Sequence, residues 1–288
     1  MRDLSGKVAV ITGGASGIGL AMAERFGREG VKLVIADIQP DAIDRAVARL
    51  RDAGFEAIGV RTDVSRYAEV EALAQITLKT FGKVHLVVNN AGVSITGPTW
   101  LMSLDDWRWV LDVNFWGVVH GVKAFTPILI EQGEPAHVVN AASLASFVGI
   151  GQHSPYCASK AAVLSISQSL RSELKAELHP IGVSVVCPGM VATEIHRSWR
   201  NRPEADRPWS DREWNDPEVR ARANAVQGAG VSAEVIAEAT LRAILEDRFY
   251  VFHGDFVEPY LTSLLTPILQ AGEPPVITWG PDLRPATS

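Results

Sequence analysis

Tyr156 and Lys160 stand four residues apart in Tyr156-Cys157-Ala158-Ser159-Lys160. On a helix, that spacing puts both side chains on one face. A phenol ordinarily titrates near pH ~10. A neighbouring ammonium favours the phenolate and lowers that value. The pair would then give and take a proton near neutral pH. Taken alone, the pattern fits a surface helix contact equally well, so its setting decides.

A second constellation lies near the N-terminus. Thr12-Gly13-Gly14-Ala15-Ser16-Gly17-Ile18-Gly19 joins an apolar run to a helical pattern. Glycines let the backbone turn tightly and approach a pyrophosphate, and the helix start behind them offers free N–H groups and a positive dipole end. No Lys-Ser/Thr pair follows, which excludes the ATP-type phosphate loop. Alone, the run fits any tight strand–helix turn. Asp37 narrows the choice. It ends Val34-Ile35-Ala36-Asp37, about 20 residues beyond the glycines, where a carboxylate can accept both ribose hydroxyls of an adenosine. The same charge repels a 2′-phosphate, and Gly14–Ser16 and Ile38–Gln39 carry no Lys or Arg to attract one. The expectation is NAD rather than NADP. The bland reading of Asp37 is a solvated strand-end carboxylate.

These residues need strands ending at one edge of a sheet. Short β-branched runs fall at Val8–Thr12, Lys32–Ala36, Ala57–Arg61, Leu86–Asn89, Val138–Asn140, Val183–Cys187 and Tyr250–Phe252. Helical patterns between them fall at Ile18–Glu29, Asp41–Asp52, Tyr67–Phe81, Leu104–Ile130, Tyr156–Leu178 and Ala233–Glu246. Runs that are apolar throughout predict a parallel sheet covered on both faces. The alternation predicts a doubly wound α/β domain, the Rossmann fold. The 288 residues suffice for one large core. We expect one domain with its core over 4–254, an Arg-, Trp- and Pro-rich excursion over 194–230, and an extension over 255–288. The Pro- and Gly-rich end beyond Gly272 reads as extended.

Composition removes several function classes. Hydrophobic residues make up 47% and charged residues 21%, ordinary for a globular domain. A net charge of -6 argues against holding a nucleic-acid backbone through bulk charge. Cys157 and Cys187 can build neither a disulfide framework nor a Cys-rich zinc site, which favours a reducing compartment. The seven histidines and the carboxylates show no metal-ligand spacing, so no metal is expected. The N-terminus has no signal-peptide pattern. The apolar stretch Val110–Ile130 is interrupted by Asp112, Asn114, His120, Lys123 and Pro127, too polar a load for a bilayer span. The cytoplasm is the simplest location.

Thr12-Gly13-x-x-x-Gly17-x-Gly19, Asp63-Val64, Asn89-Asn90-Ala91-Gly92, Asn114, Ser143, Tyr156-x-x-x-Lys160 and Pro188-Gly189 together resemble the short-chain dehydrogenase/reductase family, over roughly Leu4 to Glu246. The resemblance implies a nicotinamide-dependent interconversion of alcohol and carbonyl. It implies that Ser143 donates a hydrogen bond to the substrate oxygen, Tyr156 transfers the proton, and Lys160 holds the nicotinamide ribose and lowers the tyrosine pKa. It gives Asn114 a water of the proton relay, held by a local bend in its helix. Gly13, Ser16, Gly17, Ile18 and Gly19 would cradle the cofactor, and Asp63 and Val64 would flank its adenine. Asn90, Ala91 and Gly92 would support the adenosine and ribose side. Pro188, Gly189 and Val191 would also contact the cofactor, and Thr193 would hold its carboxamide.

Other readings stay beside these. Ser146 competes with Ser143, although the spacing to Tyr156 favours Ser143. Asn114 could simply cap or kink a helix. Cys157 and Cys187 read as small core residues, and His153 as a solvated loop residue or a substrate contact.

Substrate should meet the nicotinamide beyond the carboxyl ends of the strands. Val93, Ile95, Leu144, Phe147, Ile150 and Met190, with Trp199 beside them, suggest an apolar alcohol or ketone such as a ring compound of steroid or terpenoid type. Residues 194–230 read equally as a lid or a surface excursion. The helix Leu104–Ile130 is apolar around much of its circumference. In the family this helix and the next pair subunits into dimers and tetramers, with Trp107, Trp109 and Trp116 as interface residues or internal core. Two competing functions remain, a sugar-nucleotide epimerase or dehydratase and a non-catalytic dinucleotide sensor. The glycine spacing speaks against the first, and the presence of Ser143, Tyr156 and Lys160 against the second.

Overall fold

Seven strands answer the apolar runs in the computed structural model, which describes residues 1, 3–202, 221, 224–225, 228–270, 272–273 and 277. They are β1 (Val8–Thr12), β2 (Lys32–Asp37), β3 (Ala57–Arg61), β4 (Leu86–Asn89), β5 (Ala136–Ala141), β6 (Ile181–Val186) and β7 (Tyr250–Val251). They form one sheet in the order β3-β2-β1-β4-β5-β6-β7, and every neighbouring pair is parallel. The helices are α1 (Gly17–Gly27), α2 (Pro40–Asp52), α3 (Tyr67–Phe81), α4 (Leu104–Leu111), α5 (Gly117–Gln132), α6 (Ser154–Ala176), α7 (Ala233–Glu246) and α8 (Val257–Leu269).

Successive strand residues point to opposite faces. Ile11, Ile35 and Val88 therefore pack with Phe26 of α1, Leu50 of α2 and Leu241 of α7. Val10, Val34 and Val87 pack on the other side with Leu73 of α3, Phe125 of α5 and Leu170 of α6. This is the doubly wound Rossmann sheet that the alternation of runs predicts. β3 departs from the uniformly buried pattern: Gly59 and Arg61 are exposed, because β3 is an edge strand.

The expected helix over Leu104–Ile130 is interrupted. A π-turn at Asp112–Trp116 joins α4 to α5. The stretch Leu104–Gln132 is long and apolar enough to cross a membrane by length and composition. Here its inner face, including Val110, Asn114, Phe125 and Leu129, is buried in the domain. The extension beyond 254 contains α8, which the reading above leaves without an element. Its signal is Val257, Tyr260, Leu261, Leu264 and Ile268 at helical spacing. The excursion over 194–230 begins with a 3₁₀ segment, Ile195–Asn201. Residues 203–220, 222–223 and 226–227 of that expected lid lie outside the described residues, as does most of the tail beyond Gly272.

A buried polar ladder ties the sheet to the helices beneath the crevice. Asn89 and Asn140 are register partners on β4 and β5. Asn89 Nδ2 donates to Asn140 Oδ1 at 2.8 Å, and Asn140 Nδ2 donates to Ser167 Oγ of α6 at 2.9 Å. Gly121 lets α5 approach this ladder, since a Cβ there would lie 1.9 Å from Asn89 Oδ1. Gly121→Ala should therefore destabilise the fold by about 1–3 kcal/mol despite the better helix propensity of alanine. Denaturant unfolding checks this, and an unchanged midpoint would contradict the packing account.

Candidate active site

The strand order reverses between β1 and β4, and the crevice opens there at the carboxyl ends of the strands. A cleft of about 270 Å³ is lined by Gly13, Ser16, Gly17 and Ile18 on the turn after β1, and by Asp37 at the end of β2. Asp63 and Val64, then Asn90, Ala91, Gly92 and Val93, Tyr156 and Lys160, and Pro188 and Thr193 complete much of the wall.

The glycine turn is held by its neighbours. Asn90 Nδ2 donates to the carbonyls of Thr12 at 3.0 Å and Gly13 at 3.2 Å. Thr12 Oγ1 accepts from the backbone N–H groups of Asn90 and Ala91. The Asn90 side chain thus braces the turn. Gly13 has φ +60°, and a Cβ there would meet Ala91 Cα at 2.8 Å. A Cβ on Gly19 would lie 2.3 Å from the Gly13 carbonyl. Gly19 therefore allows close helix packing, although it does not line the cleft. A Cβ on Gly17 would meet Thr193 Cγ2 at 3.2 Å, so the chain after β6 closes against the start of α1. Free helix N–H groups, bare glycine backbone and a strand-end carboxylate fit a dinucleotide.

Asn114 sits at the centre of the π-turn and is fully buried, outside the cleft wall. Its Oδ1 accepts from Val93 N at 2.8 Å, and its Nδ2 donates to Val93 O at 2.9 Å and Ser159 Oγ at 3.0 Å. Lys160 Nζ donates to the Ala141 carbonyl at 2.7 Å and lies 5.7 Å from the centre of the Tyr156 ring. Gly92 faces both, since a Cβ there would be 3.5 Å from Asn114 Oδ1 and from Lys160 Nζ. Ser143 accepts from Ala145 N at 3.1 Å and hydrogen-bonds the Tyr156 phenol. Ser146 instead donates to the Lys160 carbonyl at 2.9 Å, so of the two candidate serines it is Ser143 that meets the tyrosine.

The sequence profile of short chain dehydrogenases matches residues 7–204. The chain belongs to the short-chain dehydrogenase/reductase family. A family member from Burkholderia phymatum, solved in complex with NAD, superposes with a TM-score of 0.89 at 42% identity, over 95% of this chain and 98% of that one. A 1-deoxy-11-beta-hydroxypentalenate dehydrogenase of Streptomyces avermitilis is 36% identical, over 86% of this chain and 85% of its own. A dehydrogenase/reductase of CLA biosynthesis from Lactiplantibacillus plantarum is 30% identical, over 96% and 98%. The chain is accordingly an oxidoreductase of the CH–OH group that binds a nicotinamide dinucleotide and acts on a small molecule.

In this dehydrogenase, the depression of Tyr156 expected from Lys160 is absent. Burial pushes the phenol up to about 12, and the hydrogen bond from Ser143 only partly offsets it. Burial pushes Lys160 down to about 8. In a poorly hydrated site both groups favour their neutral forms, and the ammonium gives its hydrogen bond to Ala141.

Other expected residues divide. Val191 is buried in the core, and Gly189 packs against Phe256 and Leu144, so neither lines the cleft. Leu144 and Ile150 are buried, with Phe147 against them, in an apolar cluster with Tyr260, Leu264 and Ile277 beneath α8. Ile95 packs with Val110 and Met102. Of the expected substrate residues only Val93 lines the cleft: Leu144, Phe147 and Ile150 lie beneath α8, and Ser143, Ile95, Met190 and Trp199 are not in its wall. His153 is buried, neither solvated nor in the cleft wall, and pairs with Thr96 Oγ1 and the Gly151 carbonyl. Burial lowers its pKa. Cys157 and Cys187 are buried free thiols.

Several residues of the cleft wall have no assignment to the cofactor in the sequence. Trp109, Gln39, Arg200 and Asn201 all line the cleft, and Trp109 carries the Arg202 guanidinium 5.4 Å from its ring centre. Arg200 and Asn201 come from a part of the chain without periodicity, so only the tertiary contact marks them.

Asn114→Ala would strip three hydrogen bonds from buried groups, and should cost about 1–3 kcal/mol of stability by denaturant unfolding. A shift below about 0.5 kcal/mol would mean that water replaces the carboxamide there.

Proposed function

We propose that this family member is an NAD-dependent dehydrogenase interconverting a secondary alcohol and a ketone on an apolar molecule of ring type, steroid- or terpenoid-like. The observation that carries the reading is a cleft walled at once by Asp37, Tyr156 and Lys160, with the Ser143 side chain acting on the Tyr156 phenol. When bound, the dinucleotide supplies the hydride chemistry. Ser143 holds the substrate oxygen, where charge develops. Tyr156 takes the hydroxyl proton in oxidation and returns it in reduction. Lys160 orients the ribose beside it, and the relay water is assigned to the backbone of Asn114 at the π-turn, since its carboxamide is engaged with Val93 and Ser159. Asp37 accepts the adenosine ribose hydroxyls.

The remaining cofactor contacts are assigned to Gly13, Ser16, Gly17, Ile18, Asp63, Val64, Asn90, Ala91, Gly92, Pro188 and Thr193. An apolar substrate is supported by Val93, with Trp109 and Val113 packed beside it in the cleft wall. The hydroxypentalenate named for the Streptomyces relative points the same way. The exposed Leu104 and Trp116 on α4 and the π-turn support a homo-oligomer, dimer or tetramer, formed through this helix. The free thiols support a cytoplasmic location.

The raised phenol sets the pH dependence. Oxidation needs the phenolate, which is the minor form below about 12, so alcohol oxidation should climb steadily from pH ~6 to ~10. Reduction needs the protonated phenol and should stay level over that range. Initial rates in both directions, on a panel of secondary alcohols and ketones, test this. Oxidation that peaks at neutral pH would contradict the raised phenol, and replacement of Tyr156 tests the role of the residue itself. Tyr156→Phe should abolish turnover while leaving NAD binding within about threefold.

A further inference from the structure

Asp37 shares its cleft with a cation, Arg200, from far along the chain. Asp37 Oδ2 accepts from Ala15 N at 3.3 Å and its Oδ1 from Gln39 N at 3.2 Å. The Gln39 side chain donates in turn to Asn201 Oδ1 at 2.6 Å, over a separation of 162 residues. That bond pins the end of the 3₁₀ segment Ile195–Asn201 to the carboxyl end of β2. Arg200, one residue earlier, lines the same cleft as Asp37. Its Nη1 donates to the carbonyls of Glu194 at 3.1 Å and Arg197 at 2.8 Å. Nε and Nη2 make no hydrogen bond among the described residues. Among the described residues the guanidinium is thus held through one nitrogen, at an exposed position.

We propose that Arg200 is a specificity-determining residue for the cofactor, the group that receives an adenosine 2′-phosphate, with Asp37 opposing it on the same wall. This rests on the dinucleotide assignment made above. A guanidinium fork matches phosphate oxygens with two parallel donors. Asp37 repels that phosphate and accepts the hydroxyls of the unphosphorylated ribose. The choice is then a difference between two opposed charges on one wall, rather than the work of a single carboxylate. Burial holds Asp37 above the usual carboxylate range, backbone amides pull it back, and the Arg200 charge pulls in the same direction. The two residues therefore already feel each other in the absence of a phosphate.

The test measures dissociation constants for NAD and NADP by quenching of intrinsic tryptophan fluorescence, for which Trp109 in the cleft wall is a natural reporter. Wild type, Arg200→Gln, Arg200→Lys, Asp37→Ser and the Asp37→Ser/Arg200→Gln double variant are compared. Arg200→Gln should weaken NADP about tenfold or more and NAD by less than about threefold. Arg200→Lys should retain part of the NADP affinity, since it keeps the charge and loses the fork. Asp37→Ser should strengthen NADP about tenfold, and the double variant should lose that gain. Equal weakening of both cofactors by Arg200→Gln would overturn the proposal, because the residue would then serve the pyrophosphate or the fold. So would a double variant that gains NADP affinity as Asp37→Ser does. If wild type binds neither dinucleotide, the proposed function falls with it. Tight NAD binding with no discrimination lost at Arg200 defeats this inference alone.

Discussion

The carboxamide of Asn114 spends its hydrogen bonds on both backbone groups of Val93 and on Ser159. It thereby joins the chain leaving β4, the π-turn and the N-terminal part of α6. Ser159 passes the constraint on, donating to the Tyr156 carbonyl at 2.7 Å. The backbone that presents the phenol and the backbone that walls the cleft are thus held to one buried group. Such a group has no water to fall back on. The positions of Gly92, Tyr156 and Lys160 all depend on that bridge, and the π-turn is the local distortion that brings Asn114 to it.

Around that bridge, burial outweighs charge. The tyrosine and lysine sit where hydration is poor, and each is driven towards its uncharged state. One ammonium whose hydrogen bond goes to a backbone carbonyl does not reverse this for the phenol. The apolar side of the site is closed in the same way. Leu144 and Ile150 lie with Tyr260 and Leu264 beneath α8. The Tyr260 hydroxyl makes no hydrogen bond among the described residues, and burial pushes it up to about 12. Polar groups at the catalytic end therefore meet an apolar wall directly, an arrangement in which a hydrogen bond to a substrate oxygen is strengthened by low dielectric.

Much of the scaffold is legible in the sequence because central strands of a parallel sheet are apolar on both faces. β1, β3 and β4 begin and end where the runs do, as do α3 and α7. Asp37 is legible because strand length and glycine spacing are short-range. The choice of Ser143 over Ser146 follows from chain spacing, yet the reason is tertiary: one hydroxyl meets the phenol and the other the Lys160 carbonyl. The occlusion of Leu144 and Ile150 was not legible. It depends on α8, which reaches them from the far end of the chain. Trp109 likewise reads as a core or interface residue until Arg202 and the cleft are placed on either side of it.

By itself, then, the sequence determined the strand–helix alternation, the glycine turn, the carboxylate after β2 and the spacing of tyrosine and lysine on one helix. Each depends on residues close along the chain, where backbone geometry alone relates position to direction. Tertiary structure alone decided the sign of the tyrosine shift, the covering of the apolar cluster and the arrival of Arg200 in the cleft that Asp37 lines. Those depend on which groups exclude water from one another across the fold, and desolvation has no counterpart in sequence spacing.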